Sequence, residues 1–403
     1  MKSGPRVLVY SHDSFGLGHL RRCRTIAHHL VERFPHLSVL ILSGSPIIGS
    51  FDFKARVDFV RVPGVIKLRN GEYTSLGLHL DLEKTLAIRR SIILHTAEIY
   101  EPDLFLVDKE PLGLRGEVGP TLELLKRLGT YCVLGLRDVM DEPTILVDEW
   151  ERKGVFPALE QLYDAIWVYG LPEIFDPLRE IPGMAPLAPK THFTGYLRRT
   201  VGARSAALDQ HGVPAQPYIL VTPGGGGDGA ELIDWVIAAY ESDRGLPHRA
   251  LIVFGPFLPP EQRHAFQERI AREPRLSAIT FATHVEPLFE QALGVVAMGG
   301  YNTFCEILSF GKPALLVPRS RPRLEQYLRA ERAKAIGLID VLPNDGVREP
   351  GRMAAALRAL PLRPVADAEF RSSMLTGLER VAELAEPWLR RRQRQPRLVS
   401  AVA

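Results

Sequence analysis

The pattern of apolar and polar positions divides the chain into short runs buried on both faces and longer stretches of helical period. Residues 6–11 (Arg-Val-Leu-Val-Tyr-Ser) form an apolar, β-branched run and read as a central strand. Residues 12–19 then form a glycine-bearing turn. Residues 20–34 place Leu20, Ile26, Ala27, Leu30 and Val31 at helical spacing, and 38–43 repeat the strand pattern. This order of strand, glycine loop, helix and strand opens a doubly wound α/β fold. Further strands are predicted at 57–62, 103–108, 131–136, 165–169 and 192–194, and helices at 82–100 and 118–128. Residues 64–77 are polar and irregular and read as a surface loop over a cleft.

Between residues 197 and 217 Arg, Ala, Gly and Pro dominate and no strand pattern persists. A second series follows, with strands predicted at 218–222, 251–254, 278–282, 295–298, 314–317 and 338–341, and a long terminal helix over 371–392. The expected organisation is an α/β, Rossmann-like domain over 1–198, a linker over 199–216, a second Rossmann-like domain over 217–370, and a terminal helix and tail over 371–403 that crosses back to the first domain.

Composition narrows the class. The chain has 403 residues, 46% hydrophobic and 24% charged, which suits two full cores. A formal net charge of +3 gives no reason to expect nucleic acid. Three scattered cysteines with no CxxC spacing point away from disulfides and zinc and fit a reducing cytoplasm. No apolar run approaches the ~20 residues of a membrane span, and the first five residues are too few for a signal peptide. The basic end from Arg390, with Trp388 and Leu389 beside it, is a candidate for weak peripheral contact with anionic lipid, although a solvated helix end explains it more simply.

The chemistry concentrates late in the chain. After the strand ending at Met298, Gly299 and Gly300 turn the backbone into a helix that contains Glu306 and closes at Gly311-Lys312-Pro313. Paired glycines at a helix N-terminus let N–H groups approach an anion, and Glu306, about two turns in, can accept from a sugar diol. A nucleoside diphosphate fits both features. Gly224, Gly225, Gly226 and Gly227 follow another strand and offer bare amides to a diphosphate; no Lys-Ser or Lys-Thr follows them, so this is not a P-loop. His284 follows a third strand, where it caps a helix or sets its backbone beside a base. Glu325 and Gln326, beyond the strand ending at Pro318, offer an acceptor and an amide.

These features together resemble the donor half of GT-B glycosyltransferases of the family 28 type, the group that includes the bacterial enzyme adding N-acetylglucosamine to a lipid-linked muramyl peptide. Phe15-Gly16-Leu17-Gly18-His19 resembles the opening loop of that group. Residues 107–111 and 136–143 are similar to a little-characterised bacterial branch of predicted glycosyltransferases, so the muramyl acceptor does not carry over. The resemblance implies two Rossmann-like domains facing a cleft and a nucleotide-sugar donor, UDP-linked by preference. Glu306 would bind ribose; Gly224–Gly227 and Gly299-Gly300, with Asn302 and Thr303, would hold the diphosphate. Glu325 and Gln326 would meet sugar or phosphate, and His284 would lie near the base. Pro223 and glycines stand where the group often has a phosphate-binding serine.

The reaction implied is inverting hexosyl transfer to a saccharide or lipid-linked acceptor in envelope or exported polysaccharide synthesis, with no cofactor and no metal. No Asp-x-Asp motif stands where it would hold a metal–diphosphate. His19 is the first candidate for the general base and Asp13 the second. Gly16, Gly18, Glu110, Arg137, Asp138 and Asp141 are acceptor-side candidates, Asp138 and Asp141 reading more simply as turn residues before Pro143. Arg21 and Arg22 are expected to face solvent. Two other readings stay open: a nucleotide-sugar hydrolase or 2-epimerase on the same fold, and a non-catalytic nucleotide-sugar-binding protein.

Overall fold

The computed structural model describes residues 4–12, 17–67, 73–202, 212–225, 227–321, 323–344 and 346–394. Two parallel sheets organise them. The first half runs β1 (Arg6–Ser11), α1 (Gly18–Arg33), β2 (Ser38–Ser43), β3 (Val57–Arg61), β4 (Val65–Lys67), β5 (Tyr73–Ser75), α2 (Leu82–Tyr100), β6 (Leu104–Asp108), α3 (Gly119–Arg127), β7 (Tyr131–Arg137), α4 (Pro143–Arg152), α5 (Val155–Leu162), β8 (Ala165–Tyr169), α6 (Pro177–Glu180) and β9 (Thr191–Phe193). Seven of its strands form a sheet in the order β3-β2-β1-β6-β7-β8-β9. Its centre is apolar on both faces, as parallel sheets covered by helices are: β6 and β8 are buried throughout.

The second half runs β10 (Tyr218–Thr222), α7 (Ala230–Ser242), β11 (Arg249–Val253), α8 (Pro260–Ala271), β12 (Leu276–Ile279), α9 (Glu286–Gln291), β13 (Gly294–Ala297), α10 (Tyr301–Phe310), β14 (Ala314–Leu316), α11 (Glu325–Ala335), β15 (Asp340–Val341) and α12 (Pro350–Ala359). Its sheet order is β12-β11-β10-β13-β14-β15, again parallel. In each sheet the order reverses beside the first strand, between β1 and β6 and between β10 and β13. A crevice opens outside the carboxyl ends of the strands at such a point.

Two expectations are corrected. Residues 64–77 are not wholly irregular: β4 and β5 pair antiparallel, Val65 opposite Ser75. Each strand is only three residues long, too short for alternation to show in the sequence. The terminal helix is two helices, α13 (Ala368–Met374) and α14 (Gly377–Arg394). Between them the backbone leaves the helix to pair with Tyr196, whose N–H donates to Met374 O at 2.7 Å and whose carbonyl accepts from Gly377 N at 3.0 Å. A Cβ at Gly377 would sit 2.6 Å from Gly195 O, so this crossing admits only glycine.

α14 packs on α1 and β6 of the first half. Trp388 stacks on Tyr131 with ring centroids 3.9 Å apart, and Leu389 is buried. Neither serves as a membrane anchor, because both are committed to the fold. Among the described residues no helix is long and apolar enough to cross a membrane. The two halves share one apolar cluster, which passes from β1 and α1 through Tyr196 to Phe304 and the second sheet.

Candidate functional site

A cavity of about 470 Å³ lies between the halves at the carboxyl ends of both sheets. Leu17, Gly18, Arg21, Arg22 and Arg137 line it from the first half. From the second come the loop after β10 (Thr222 to Gly225, Gly227, Asp228), Phe257 and Phe281, and the α10 segment Gly300, Tyr301, Asn302, Thr303 and Glu306, with Arg319 and Gln326 closing the far side.

The glycine loop is braced rather than loose. Gly224 N donates to Thr222 Oγ1 at 3.3 Å and Phe257 N to Gly225 O at 3.1 Å. Gly255 presses against it so closely that a Cβ there would lie 2.7 Å from Gly224 O. At the next loop Gly299 takes φ +83°, and its carbonyl accepts from Arg329 at 2.9 Å. Gly300 is the N-cap of α10 and supplies no side-chain cap, so the first-turn amides keep their hydrogen-bonding capacity toward an anion. The phase fixed by this turn carries Glu306 to the cavity wall. Its side chain is 1% exposed, and its carboxylate accepts from Arg21 of the first half at 2.5 Å. Burial raises the titration of Glu306, and Arg21 opposes that rise.

Other donor-side candidates have partners of their own. Asn302 spans the halves: its Nδ2 donates to Gly18 O at 3.0 Å and its Oδ1 accepts from Arg199 at 2.8 Å. Its amide is thus committed to joining the halves, although it lines the cavity. Thr303 is buried in the first turn. His284 lies outside the lining and points to Asp52 at 3.2 Å, while its neighbours Ala282 and Val285 face the cavity. Glu325 bridges Arg137 at 2.6 Å and Arg319 at 3.3 Å. Burial pushes its pKa up, but Arg137 and Lys109 outweigh that and hold the group at about 2. Gln326 accepts from Arg319 N at 3.2 Å and lines the cavity.

His19 stands one residue into α1, next to Gly18 of the cavity lining but itself outside that lining. Its Nδ1 lies 2.5 Å from Asp108 Oδ2, at the end of β6, across the switch point of the first sheet. Arg22 grips the same carboxylate with Nε at 2.8 Å and Nη2 at 2.6 Å. Burial holds His19 neutral, lowering its pKa to about 3; Asp108 pulls the other way, and Arg22 offsets Asp108. Asp108 stays ionised well below the usual carboxylate range: burial works against it, but Arg22 and His19 prevail. A neutral ring with Nδ1 against a carboxylate carries its proton there, which leaves the Nε2 lone pair as an acceptor.

Two of the acceptor-side carboxylates, Asp138 and Asp141, are placed otherwise than expected. Asp138 is fully buried and accepts from Arg329 at 2.7 and 2.6 Å and from Tyr196 Oη at 2.9 Å. It is neither a cleft base nor a turn cap, but half of an ion pair joining β7 to α11. Asp141 accepts from Leu324 N at 3.0 Å and is likewise buried between the halves. Glu110 pairs with Lys109 at 3.3 Å. Arg137 and Gly18 line the cavity, and the Arg137 Nε is buried without a hydrogen-bond partner among the described residues. Asp13, Gly16 and Gly226 lie outside the described residues. Among the described residues no group of three or more His, Cys, Asp or Glu is arranged to hold a metal.

Arg21 and Arg22 do not face solvent. Arg22 is 1% exposed on Asp108, and Arg21 is 16% exposed between Glu306 and Glu286. Sequence reasoning also passed over Asp108, Arg319 and Arg329 as site or cleft residues. The signal for Asp108 was present: an acid closing a wholly apolar run, beside a strand-order reversal, is placed at a crevice.

Known proteins share this fold. Residues 219–362 match the glycosyltransferase family 28 C-terminal domain. An uncharacterised glycosyltransferase of Methanosarcina acetivorans is 23% identical over 317 residues, 75% of this chain and 77% of its own. The MurG structure from Acinetobacter baumannii superposes with a TM-score of 0.57 at 13% identity, over 95% of this chain and 99% of that one. A transferase from Siraitia grosvenorii, solved in complex with UDP, gives 0.59 at 15% identity, over 95% and 99%. Residues 219–362 are thus similar to a glycosyltransferase family 28 C-terminal domain, and the chain as a whole has the GT-B fold of these neighbours.

Proposed function

We propose that this chain is a glycosyltransferase that moves a hexosyl group, with inversion and without a metal, from a nucleoside-diphosphate sugar to an acceptor hydroxyl. UDP is the proposed nucleotide; two structural neighbours were solved with it. The observation that carries the reading is one cavity between the halves, with uncapped amides of α10 and a braced glycine loop in its wall and the His19–Asp108 pair next to Gly18 and Arg22, which line it. In the proposed step the acceptor oxygen bonds to the anomeric carbon as the bond from that carbon to the phosphate oxygen breaks. The acceptor proton passes to His19 Nε2, and Asp108 steadies the imidazolium that results. The electron pair leaves with the nucleoside diphosphate, whose growing charge meets the α10 N-terminus, the loop amides and Arg319. Glu306 is assigned to the ribose hydroxyls, and the acceptor is a saccharide or a lipid-linked saccharide of the envelope or exported polysaccharide.

The test is incubation with UDP-hexoses, with and without extracted envelope saccharides and lipids, read by mass spectrometry. The expected result is UDP release that requires acceptor and yields a glycosylated product. His19→Ala should slow turnover by about 10²- to 10⁴-fold, the usual contribution of a general base. Release of free sugar or of an epimer at the same rate without acceptor contradicts the reading.

A further inference from the structure

We propose that Arg21 is a positioning residue for the nucleotide: reaching from α1 across the cleft, it orients the Glu306 carboxylate for the ribose hydroxyls, so the nucleotide subsite is complete only when both halves contribute. This rests on the ribose role given to Glu306 above.

Four observations converge. Arg21 and Glu306 are 285 positions apart yet meet at 2.5 Å, one from each half. Both line the cavity at the carboxyl ends of the sheets. Arg21 occupies only Oε1 of Glu306, and among the described residues no partner sits on Oε2, which remains for a hydroxyl donor. Glu306 is also the only charged residue of α10, so nothing on its own helix can hold its charge.

The surroundings explain why a guanidinium is needed. A carboxylate at 1% exposure loses most of its hydration, and desolvation favours the neutral acid. A neutral acid would offer its O–H to the ribose and lose acceptor capacity. Glu286 of α9 adds to the difficulty, and Arg199 of the linker relieves it at longer range while its own guanidinium is held by Asn302 and Thr25. Arg21 is the group in direct contact with the carboxylate, and it also meets Glu286 at 3.4 Å. A guanidinium stays charged at any working pH, and its Nη2 holds the carboxylate by one oxygen while also meeting Glu286.

Titration calorimetry of the full chain with UDP and 2′-deoxy-UDP, between about pH 6 and about pH 8, tests this in the wild type, Arg21→Ala, Arg21→Lys and Glu306→Ala. The wild type should prefer UDP by about tenfold or more at every pH, as expected for hydroxyl bonds to a charged group. Arg21→Ala should lose most of that preference at the acid end and regain it at the alkaline end, a change of about tenfold per unit of pH once Glu306 titrates in the range. Arg21→Lys, which keeps the charge, should retain a preference that does not vary with pH. If Arg21→Ala keeps the wild-type preference throughout, or weakens both nucleotides equally at every pH, Arg21 does not act through Glu306 and the proposal is wrong. If Arg21→Ala does not fold, a strong pH dependence of the preference in Arg21→Lys contradicts the proposal by itself. A Glu306→Ala protein that prefers UDP as strongly as the wild type instead removes the ribose role on which the proposal rests.

Discussion

At the scale of the residue, the chemistry turns on how three side chains divide charge. Asp108 serves two partners, His19 and Arg22, and the arginine neutralises it. His19 therefore sits beside a carboxylate without gaining a proton; burial dominates and keeps it neutral, with a pKa of about 3. The sign follows: a base whose pKa lies below its ordinary 6.5 remains competent as pH falls through that value. We predict that kcat/KM for donor transfer has no acid limb near pH 6.5 attributable to His19 and falls only well below it. Arg22→Gln, by leaving Asp108 uncompensated, should raise the His19 pKa and move the acid limb upward. A pH–rate profile with a limb near 6.5 that Arg22→Gln leaves in place contradicts this arrangement.

Why Arg22 and Arg21 escaped the sequence is physical. Consecutive arginines in a helix ordinarily point to water, and spacing within α1 says which residues share a face but not what that face meets. The partners lie 86 and 285 positions away. Glu306 was legible because its place follows from local geometry: a glycine turn sets where α10 starts, and six residues of helix carry the carboxylate to the cavity wall.

At the scale of the element, α11 and the end of β7 act as one unit. Asp138 and Arg329 are fully buried partners, and Arg329 also holds Gly299 O, the carbonyl at the turn into α10. Beside them Arg137 meets Glu325, and Asp141 meets Leu324 N. Removing one member of a buried pair strands the other's charge in a low dielectric. We predict that Asp138→Ala lowers unfolding free energy by about 3–5 kcal/mol, measured by denaturant titration. A loss below about 1 kcal/mol would place Asp138 in water instead. The sequence showed Asp138 only as an acid before Pro143, which is how turn residues look. Nothing local distinguishes a turn aspartate from one facing an arginine on a helix of the other half. The β4–β5 hairpin was hidden for a different reason, since three-residue strands carry too little pattern.

At the scale of the whole molecule, the succession of strands and helices was the most legible feature. Apolar runs alternating with helical periods admit few topologies, and right-handed parallel crossovers leave the switch points as the natural crevices. The path of the chain end was legible in direction but not in detail, because the break before α14 depends on backbone pairing with Tyr196. The cleft walls come from different halves, so the donor site depends on their fit: Asn302 meets Gly18, Arg21 meets Glu306, and Tyr301 lies between Arg22 at 5.4 Å and Arg329 at 5.9 Å.

The most direct test of the central claim is the calorimetric affinity for UDP of Glu306→Ala against the wild type at neutral pH. Loss of charge-assisted hydrogen bonds to the ribose predicts weakening by about 1–3 kcal/mol in a folded protein. Unchanged UDP affinity in that folded variant would contradict the assignment of the cavity to a nucleotide held by Glu306.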